Sequence, residues 1–394
     1  MKKKYPEHLS TSTDGKTSSS GMEQELKNLR RQVDTIDRQI VSLLVQRQAE
    51  VERVVALKKA HNLPVYHPAR EADLISRLRT QGSEAGLDPD YLEELYRRIL
   101  RQSRVVQTAQ LARRGIRAGA TVLIVGGRGS MGRYFRQWFS DAGYRVRVLD
   151  REGWPSVDEL CAGIELAMIS VPIELTTAVA RELGPHLPED CVLCDITSVK
   201  VSPLAAMLEA HPGPVVGLHP LFGPTTSTMD KQIIVVTPGR HQQACQWLID
   251  QFSAWGGIIL QTSSEEHDEI MSTVQTVRHF ATFAFGQFLC RRGINLPRTL
   301  EFSSPIYRLE LGMVGRLFAQ DASLYSEIIF ASPERRKLLK DYLASVEGNL
   351  EMIEADDREG FRAEFQKIAD WFGPFSEQAM RESTFLIDKL IERF

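Results

Sequence analysis

Several groups of residues have types and spacings that packing alone does not explain. Arg47 and Lys58 stand eleven residues apart, close to three helical turns, so they project from one side of a helix. Both fall on an apolar repeat that runs Leu26, Leu29, Val33, Ile36, Ile40, Leu43, Val51 and Val54. Cations on a buried seam are costly unless something anionic meets them. That anion could be an internal carboxylate or a small ligand, and the long stems could also carry the charges past the seam to water. Further along, Gly127, Gly129 and Gly132 make G-x-G-x-x-G directly after the β-branched run Thr121 to Val125. A helical stretch from Met131 to Ala142 follows, and then a second strand, Arg145 to Leu149, with Asp150 at its end. This order of strand, glycines, helix, strand and acid is the dinucleotide fingerprint. The glycines and the helix start at Met131 let the backbone approach a pyrophosphate, and Asp150 accepts from the adenosine ribose. The carboxylate repels a 2′-phosphate, so NAD is expected over NADP, although Arg151 beside it weakens that preference.

These groups need elements to hold them, and three compositional blocks supply them. Residues 22–112 carry helical periodicity and no strand pattern. Residues 119–262 alternate β-branched runs with helical stretches, as an α/β parallel sheet does. Residues 263–394 return to amphipathic helix, for example Leu338, Leu339, Tyr342, Leu343 and Val346. Residues 113–118 read as a linker and 1–21, Lys-rich then Ser/Thr-rich, as a disordered leader. The expected fold is therefore multidomain: all-α, then Rossmann α/β, then all-α. The helix from Leu26 to Ala60 would span about 50 Å, and its single apolar face has too few partners in its own block, which points to an intertwined dimer.

Further strands are expected at Ala167–Val171, Cys191–Cys194, Val215–Leu218, Ile233–Thr237 and Ile258–Leu260. Ligands in such sheets bind beyond the strand C-termini. That rule selects Ser170-Val171-Pro172, the segment from Asp195 to Lys200 with Ser198, and the turn His219-Pro220-Leu221-Phe222-Gly223-Pro224. Among nine histidines, His219 is singled out because it follows a buried strand at the ligand edge. The pair Cys191 and Cys194 has the spacing of half a zinc site, but no second such pair exists, so buried strand thiols and no metal are expected.

Bulk properties exclude some classes. A net charge of −3 gives no general attraction to nucleic acid, and no stretch approaches the roughly 20 apolar residues of a membrane span. Five cysteines, an odd and sparse set, fit a reducing cytoplasm.

The run from Leu29 to Asp37, then Arg47, Lys58, Arg70-Glu71, Ser103 and Gln107, resembles the all-helical chorismate mutase family. The resemblance implies a domain-swapped dimer that rearranges chorismate to prephenate. Arg47 would hold one carboxylate and Arg30 of the other subunit the second. Lys58 and Gln107 would donate to the breaking ether oxygen, Arg70 and Glu71 would orient the hydroxyl side, and Ser103 would line the substrate. One position departs: the carboxylate expected three residues before Arg70 is His67.

Ser198, Lys200, the His219 turn, the run Ser303 to Leu311 and Gly315-Arg316 resemble prephenate dehydrogenases. The whole chain from Met22 thus resembles the bifunctional chorismate mutase–prephenate dehydrogenase family. The resemblance implies that prephenate is oxidatively decarboxylated to 4-hydroxyphenylpyruvate with NAD, in tyrosine biosynthesis. His219 would accept the ring hydroxyl proton and Ser198 would orient it. Arg316 would clamp a carboxylate, with Lys200 and Arg308 as weaker candidates, and tyrosine is expected as feedback inhibitor. Two other readings remain: an arogenate dehydrogenase on the same scaffold, and a helical front module that only dimerises.

Overall fold

The computed structural model describes residues 15–61, 67–111, 115–117, 119–226 and 228–391; the side chains of 15–21, 58–61 and 108–111 lie outside that description. The chain forms two compact units, Met1–Leu111 and Ala112–Phe394.

The first unit consists of α1 (Gly15–His61), α2 (Pro68–Glu84) and α3 (Pro89–Leu111). Helices α1 and α2 each pack on α3. Helix α2 starts where its sequence says it should. His67 is the N-cap, its Nδ1 accepting from the Arg70 N–H at 3.3 Å, and Pro68 fills the first helical position, where no donor is lost. Helix α1 takes in residues 15–21, which the sequence assigned to a leader. No proline interrupts it, and lengthening an existing helix costs far less than starting one. At 1.5 Å per residue its 47 residues give about 70 Å. Within this chain Leu29, Val33, Ile36, Ile40 and Leu43 of α1 are each at least half exposed.

The second unit is built on a sheet of seven strands among the described residues. These are β1 (Thr121–Val125), β2 (Arg145–Leu149), β3 (Leu166–Ile169), β4 (Val192–Asp195), β5 (Val215–Pro220), β6 (Ile233–Arg240) and β7 (Ile258–Gln261), in the order β2-β1-β3-β4-β5-β6-β7. Strands β1 to β5 are parallel, but β6 runs antiparallel to β5. The expectation of a parallel sheet therefore fails at its far edge. Among the described residues no helix lies between β5 and β6, and without a crossover the chain must return in the opposite direction. Helices α4 (Ser130–Asp141), α5 (Val157–Cys161), α6 (Ile173–Leu183), α7 (Val201–Ala210) and α8 (Gln242–Ala254) connect the strands. One face of the sheet buries Phe135, Phe139, Phe252 and Trp255, and the other buries Leu149, Ala180, Leu183 and Met207. The two cysteines belong to this core: Cys191 and Cys194 are fully buried, and burial pushes both thiols up, so they stay protonated packing groups.

The remaining helices are α9 (Ser264–Met271), α10 (Arg278–Arg291), α11 (Leu296–Glu301), α12 (Pro305–Phe318), α13 (Ala322–Phe330), α14 (Pro333–Glu354), α15 (Arg358–Phe372) and α16 (Pro374–Ile391). A π-helical turn, Ser272–Val277, joins α9 to α10 and packs against α13 and α14. Such turns are uncommon and concentrate at functional sites. Helix α9 packs on α7 and β6, so the helical block and the sheet form one unit. Among the described residues no helix is long and apolar enough to cross a membrane.

Candidate active sites

In the first unit, Arg47 of α1 reaches α3, where its guanidinium donates to Ser103 Oγ at 2.7 Å. Ser103 in turn donates to the Ile99 carbonyl at 2.9 Å, so its hydroxyl is held with a lone pair toward Arg47. Glu71 of α2 meets Arg104 of α3 at 2.5 Å, a pair largely removed from water. Gln107, one turn after Ser103, is buried, and its Oε1 has no hydrogen-bond partner. Arg47, Ser103, Glu71 and Gln107 are thus brought to the surface where α3 meets its two neighbours. Arg70 is not: it is exposed and pairs with Asp73 at 3.3 Å. Arg30 is exposed, 17 residues before Arg47 and so about 25 Å away along α1. The Lys58 side chain lies outside the described residues. Arg104 escaped the sequence reading, although it sits on the Ser103–Gln107 face of α3 as Arg47 sits on the seam of α1.

In the second unit the fingerprint glycines build a close turn at the end of β1. Gly126 has φ +81°, and any side chain on it would run into the Ser170 carbonyl. Gly132 packs against the backbone of Gly126 and Gly127, and Gly127 against Val148, leaving no room for a Cβ at either. Gly129 is the N-cap of α4, which no side chain caps. Met131 in its first turn packs partly into the core. Asp150 follows β2. Its Oδ2 is buried without a hydrogen-bond partner, with Arg128 Nε 3.4 Å away in an ion pair. An uncapped helix start, a cradle that a Cβ would fill and a buried carboxylate oxygen that accepts no hydrogen bond fit a dinucleotide. Ser170 and Pro172, the latter the N-cap of α6, stand at the end of the neighbouring β3.

The next strands carry the titratable groups. Asp195 ends β4 and is fully buried. It accepts from Thr197 Oγ at 2.5 Å and forms an ion pair with Lys200, which is also fully buried. Lys200 therefore has no face for a substrate carboxylate, which corrects its expected role: its charge is spent under the sheet edge, on Asp195. Arg308 is likewise partly committed, donating to the Leu300 carbonyl behind α11. Ser198 lies half-buried on the loop between Asp195 and α7. Arg316 is exposed on α12, and its charge, with that of Arg278, favours ionisation of the Tyr325 phenol, which burial opposes more strongly.

His219 does not open a turn after the strand as expected. It lies within β5, paired with Val235 of β6, and is 3% exposed. Its Nδ1 is 2.8 Å from His267 Nε2, and its Nε2 is 3.4 Å from the amide nitrogen of Gln275 on the π turn. His267 Nδ1 is 2.8 Å from Asp268 Oδ1. Asp268 also accepts the backbone N–H groups of Lys200 at 2.8 Å and Val201 at 3.0 Å. Burial pushes the Asp268 carboxyl up, but these donors outweigh it and hold it below the usual range. Burial, then the nearby charge of Lys200, pushes the His219 imidazole well below its ordinary value. The site thus holds a neutral, buried, hydrogen-bonded histidine at the edge where the fingerprint loop lies, three strands away or about 14 Å. His267, Asp268 and Gln275 were not singled out by sequence; the one signal was a histidine inside the acidic run Glu265-Glu266-His267-Asp268.

Comparison with known proteins matches three families in order. Residues 29–108 match chorismate mutase type II, 137–259 the nucleotide-binding domain of prephenate dehydrogenase, and 263–367 its dimerization domain. The T-protein of Enterobacter agglomerans is 42% identical over 363 residues, covering 92% of this chain and 97% of that protein. The T-protein of Haemophilus influenzae is 40% identical over 365 residues, with the same coverage. The solved prephenate dehydrogenase of Aquifex aeolicus shares the fold, with a TM-score of 0.50 at 19% identity, covering 63% of this chain and 97% of that one.

Proposed function

The chain belongs to the T-protein family, which joins a chorismate mutase to an NAD-dependent prephenate dehydrogenase, and from that premise we propose which residues perform each reaction. The protein converts chorismate to prephenate and prephenate to 4-hydroxyphenylpyruvate in tyrosine biosynthesis.

In the mutase, Arg47 binds a substrate carboxylate, with Ser103 steadying the guanidinium, and Glu71 orients the hydroxyl side. Gln107 and Lys58 donate to the ether oxygen as its bond breaks. The rearrangement needs no proton transfer. Fixed donors that compact the substrate and meet the developing charge suffice. Arg30 completes the site from a second copy of the chain. The exposed apolar stripe of α1 supports this, as do the exposed Phe361, Phe365 and Trp371 of α15 for an interface in the other unit.

In the dehydrogenase, Gly127, Gly129, Met131, Gly132 and Asp150 hold NAD, with Ser170 and Pro172 beside them. Bound there, the nicotinamide would supply the acceptor for the hydride of the carbinol carbon. His219 accepts the ring hydroxyl proton on Nε2, Ser198 orients that hydroxyl, and Arg316 holds a prephenate carboxylate. The observation that carries this reading is His219 itself: buried, kept neutral and placed at the ligand edge of the sheet. The reading also takes the protein to be cytoplasmic and to be inhibited by tyrosine, for which no binding residues are assigned. The test is to supply chorismate with and without NAD and identify the products. Prephenate alone should accumulate without NAD, and 4-hydroxyphenylpyruvate, CO2 and NADH should form with it. Failure to form prephenate would leave the helical unit a dimerising module only.

A further inference from the structure

A neutral histidine is a base at one ring nitrogen only, and which one depends on what the other nitrogen meets. The contacts around His219 decide this from both sides. On one side, Asp268 accepts two backbone N–H groups and so stands as an acceptor-only carboxylate. The His267 Nδ1 at 2.8 Å must then be the donor. With the His267 ring uncharged, that donor leaves Nε2 as the acceptor, and Nε2 is the atom 2.8 Å from His219 Nδ1. His219 must therefore carry its hydrogen on Nδ1. On the other side, the Gln275 amide nitrogen lies 3.4 Å from His219 Nε2, and in this orientation of the amide its N–H donates to that nitrogen. Both arguments leave the lone pair of His219 on Nε2.

We propose that His267, anchored by Asp268, is a positioning residue that locks His219 in the tautomer with a bare Nε2, the nitrogen that takes the substrate proton. The proposal rests on the reading of His219 as the base. His267 is 1% exposed, on α9, and among the described residues its ring hydrogen-bonds with His219 and Asp268. Its effect runs through His219. Proton transfer then follows simply. The O–H bond of the substrate breaks as the N–H bond at Nε2 forms, and the resulting imidazolium keeps its Nδ1–H directed at the His267 lone pair. Lys200 and Arg335 disfavour that imidazolium, and Asp268 beyond His267 is the opposing negative charge in the chain of contacts. The same Asp268 carboxylate caps the start of α7 through Lys200 and Val201, so the anchor is tied to the sheet edge that bears Ser198.

The experiment compares His267→Leu, His267→Gln and His219→Asn in the full-length protein, with tryptophan emission, which comes entirely from the unit that carries both histidines, as the control for folding. Leucine fills the space and removes the acceptor. The dehydrogenase kcat should fall by about 10²–10⁴-fold, as for loss of a general base, while KM for prephenate and NAD stays within about threefold. Glutamine restores an acceptor oxygen near the position of Nε2 and should recover at least about tenfold of the lost kcat. Independently, ¹⁵N spectra of histidine-labelled wild-type protein should show His219 protonated on Nδ1, its signals assigned by their loss in His219→Asn. Near-normal kcat in His267→Leu, equal losses in the Leu and Gln variants, a loss that appears in KM, or an Nε2-protonated His219 would each overturn the proposal. If instead His219→Asn itself retains near-normal turnover, it is the assignment of the base that is wrong.

Discussion

The two units of this chain solve their chemical problems with opposite materials. In Met1–Leu111 the polar residues that could meet a substrate sit on helix surfaces, and much of the apolar surface of α1 is open within one chain. In Ala112–Phe394 the proposed base is inside a β-ladder, nearly without exposure, and tied to a second histidine and a carboxylate. The difference follows from the reactions. A rearrangement with no proton transfer asks only that fixed charges surround the substrate, and those charges can come from different chains. A proton transfer asks for a defined lone pair of defined basicity, and that is set by burial and by neighbours fixed within one fold.

The comparison is broken most forcefully if the two sites depend on each other's residues. Arg47→Ala should lower mutase turnover by roughly 10²–10³-fold, the cost of losing one well-placed donor, and leave prephenate oxidation within about twofold of normal. A matched loss of both activities in folded protein would refute the separation. The sharing of mutase sites between chains is tested by mixing Arg30→Ala with Arg47→Ala, each inactive alone. After verified subunit exchange, about a quarter of the sites should recover, because half the dimers are mixed and one of two sites in each is intact. No recovery would place Arg30 and Arg47 in sites of the same chain.

The smallest effect expected is in stability against acid. Burial, the largest cause in each case, holds His211, His219 and His279 neutral, the last pushed down to about 4, and all three lie in the second unit. Unfolded, each would titrate near 6.5. Below that value the unfolded chain binds protons that the folded chain does not. The contribution of these residues is therefore complete above about pH 6.5 and is lost as the pH falls from there toward 4 and below. All five tryptophans lie between Trp138 and Trp371, so their emission reports on this unit alone. Its melting temperature by tryptophan fluorescence should drop by several degrees between pH 7 and pH 5. A flat profile would show that the three rings are not held neutral.

Features written in contiguous residues could be read from the sequence. The strand, glycines, helix, strand and Asp150 occupy one stretch of 30 residues, and each step is local. The seam position of Arg47 was equally local, one residue type breaking a helical repeat. What could not be read depends on pairing at a distance. His267 is 48 residues from His219, and nothing in either neighbourhood says that their rings meet. The reversal of β6 left no mark because a strand carries the same alternation in either direction. Lys200 was misjudged for a related reason: a lysine at a ligand edge looks available until its counter-charge, Asp195, is found buried beneath it. His67 was noted only as a departure from a family position, whereas its ring nitrogen caps α2.

The backbone at Gly126 has a genetic consequence. Its φ of +81° and the Ser170 carbonyl facing it exclude every side chain, and every missense change of a glycine codon adds one. At the level of the gene this codon has no tolerated missense neighbour and can drift only among its synonyms. A saturation library selected for tyrosine prototrophy should return glycine alone there, while the same library selected only for the mutase, which lies in the other unit, should not be so constrained.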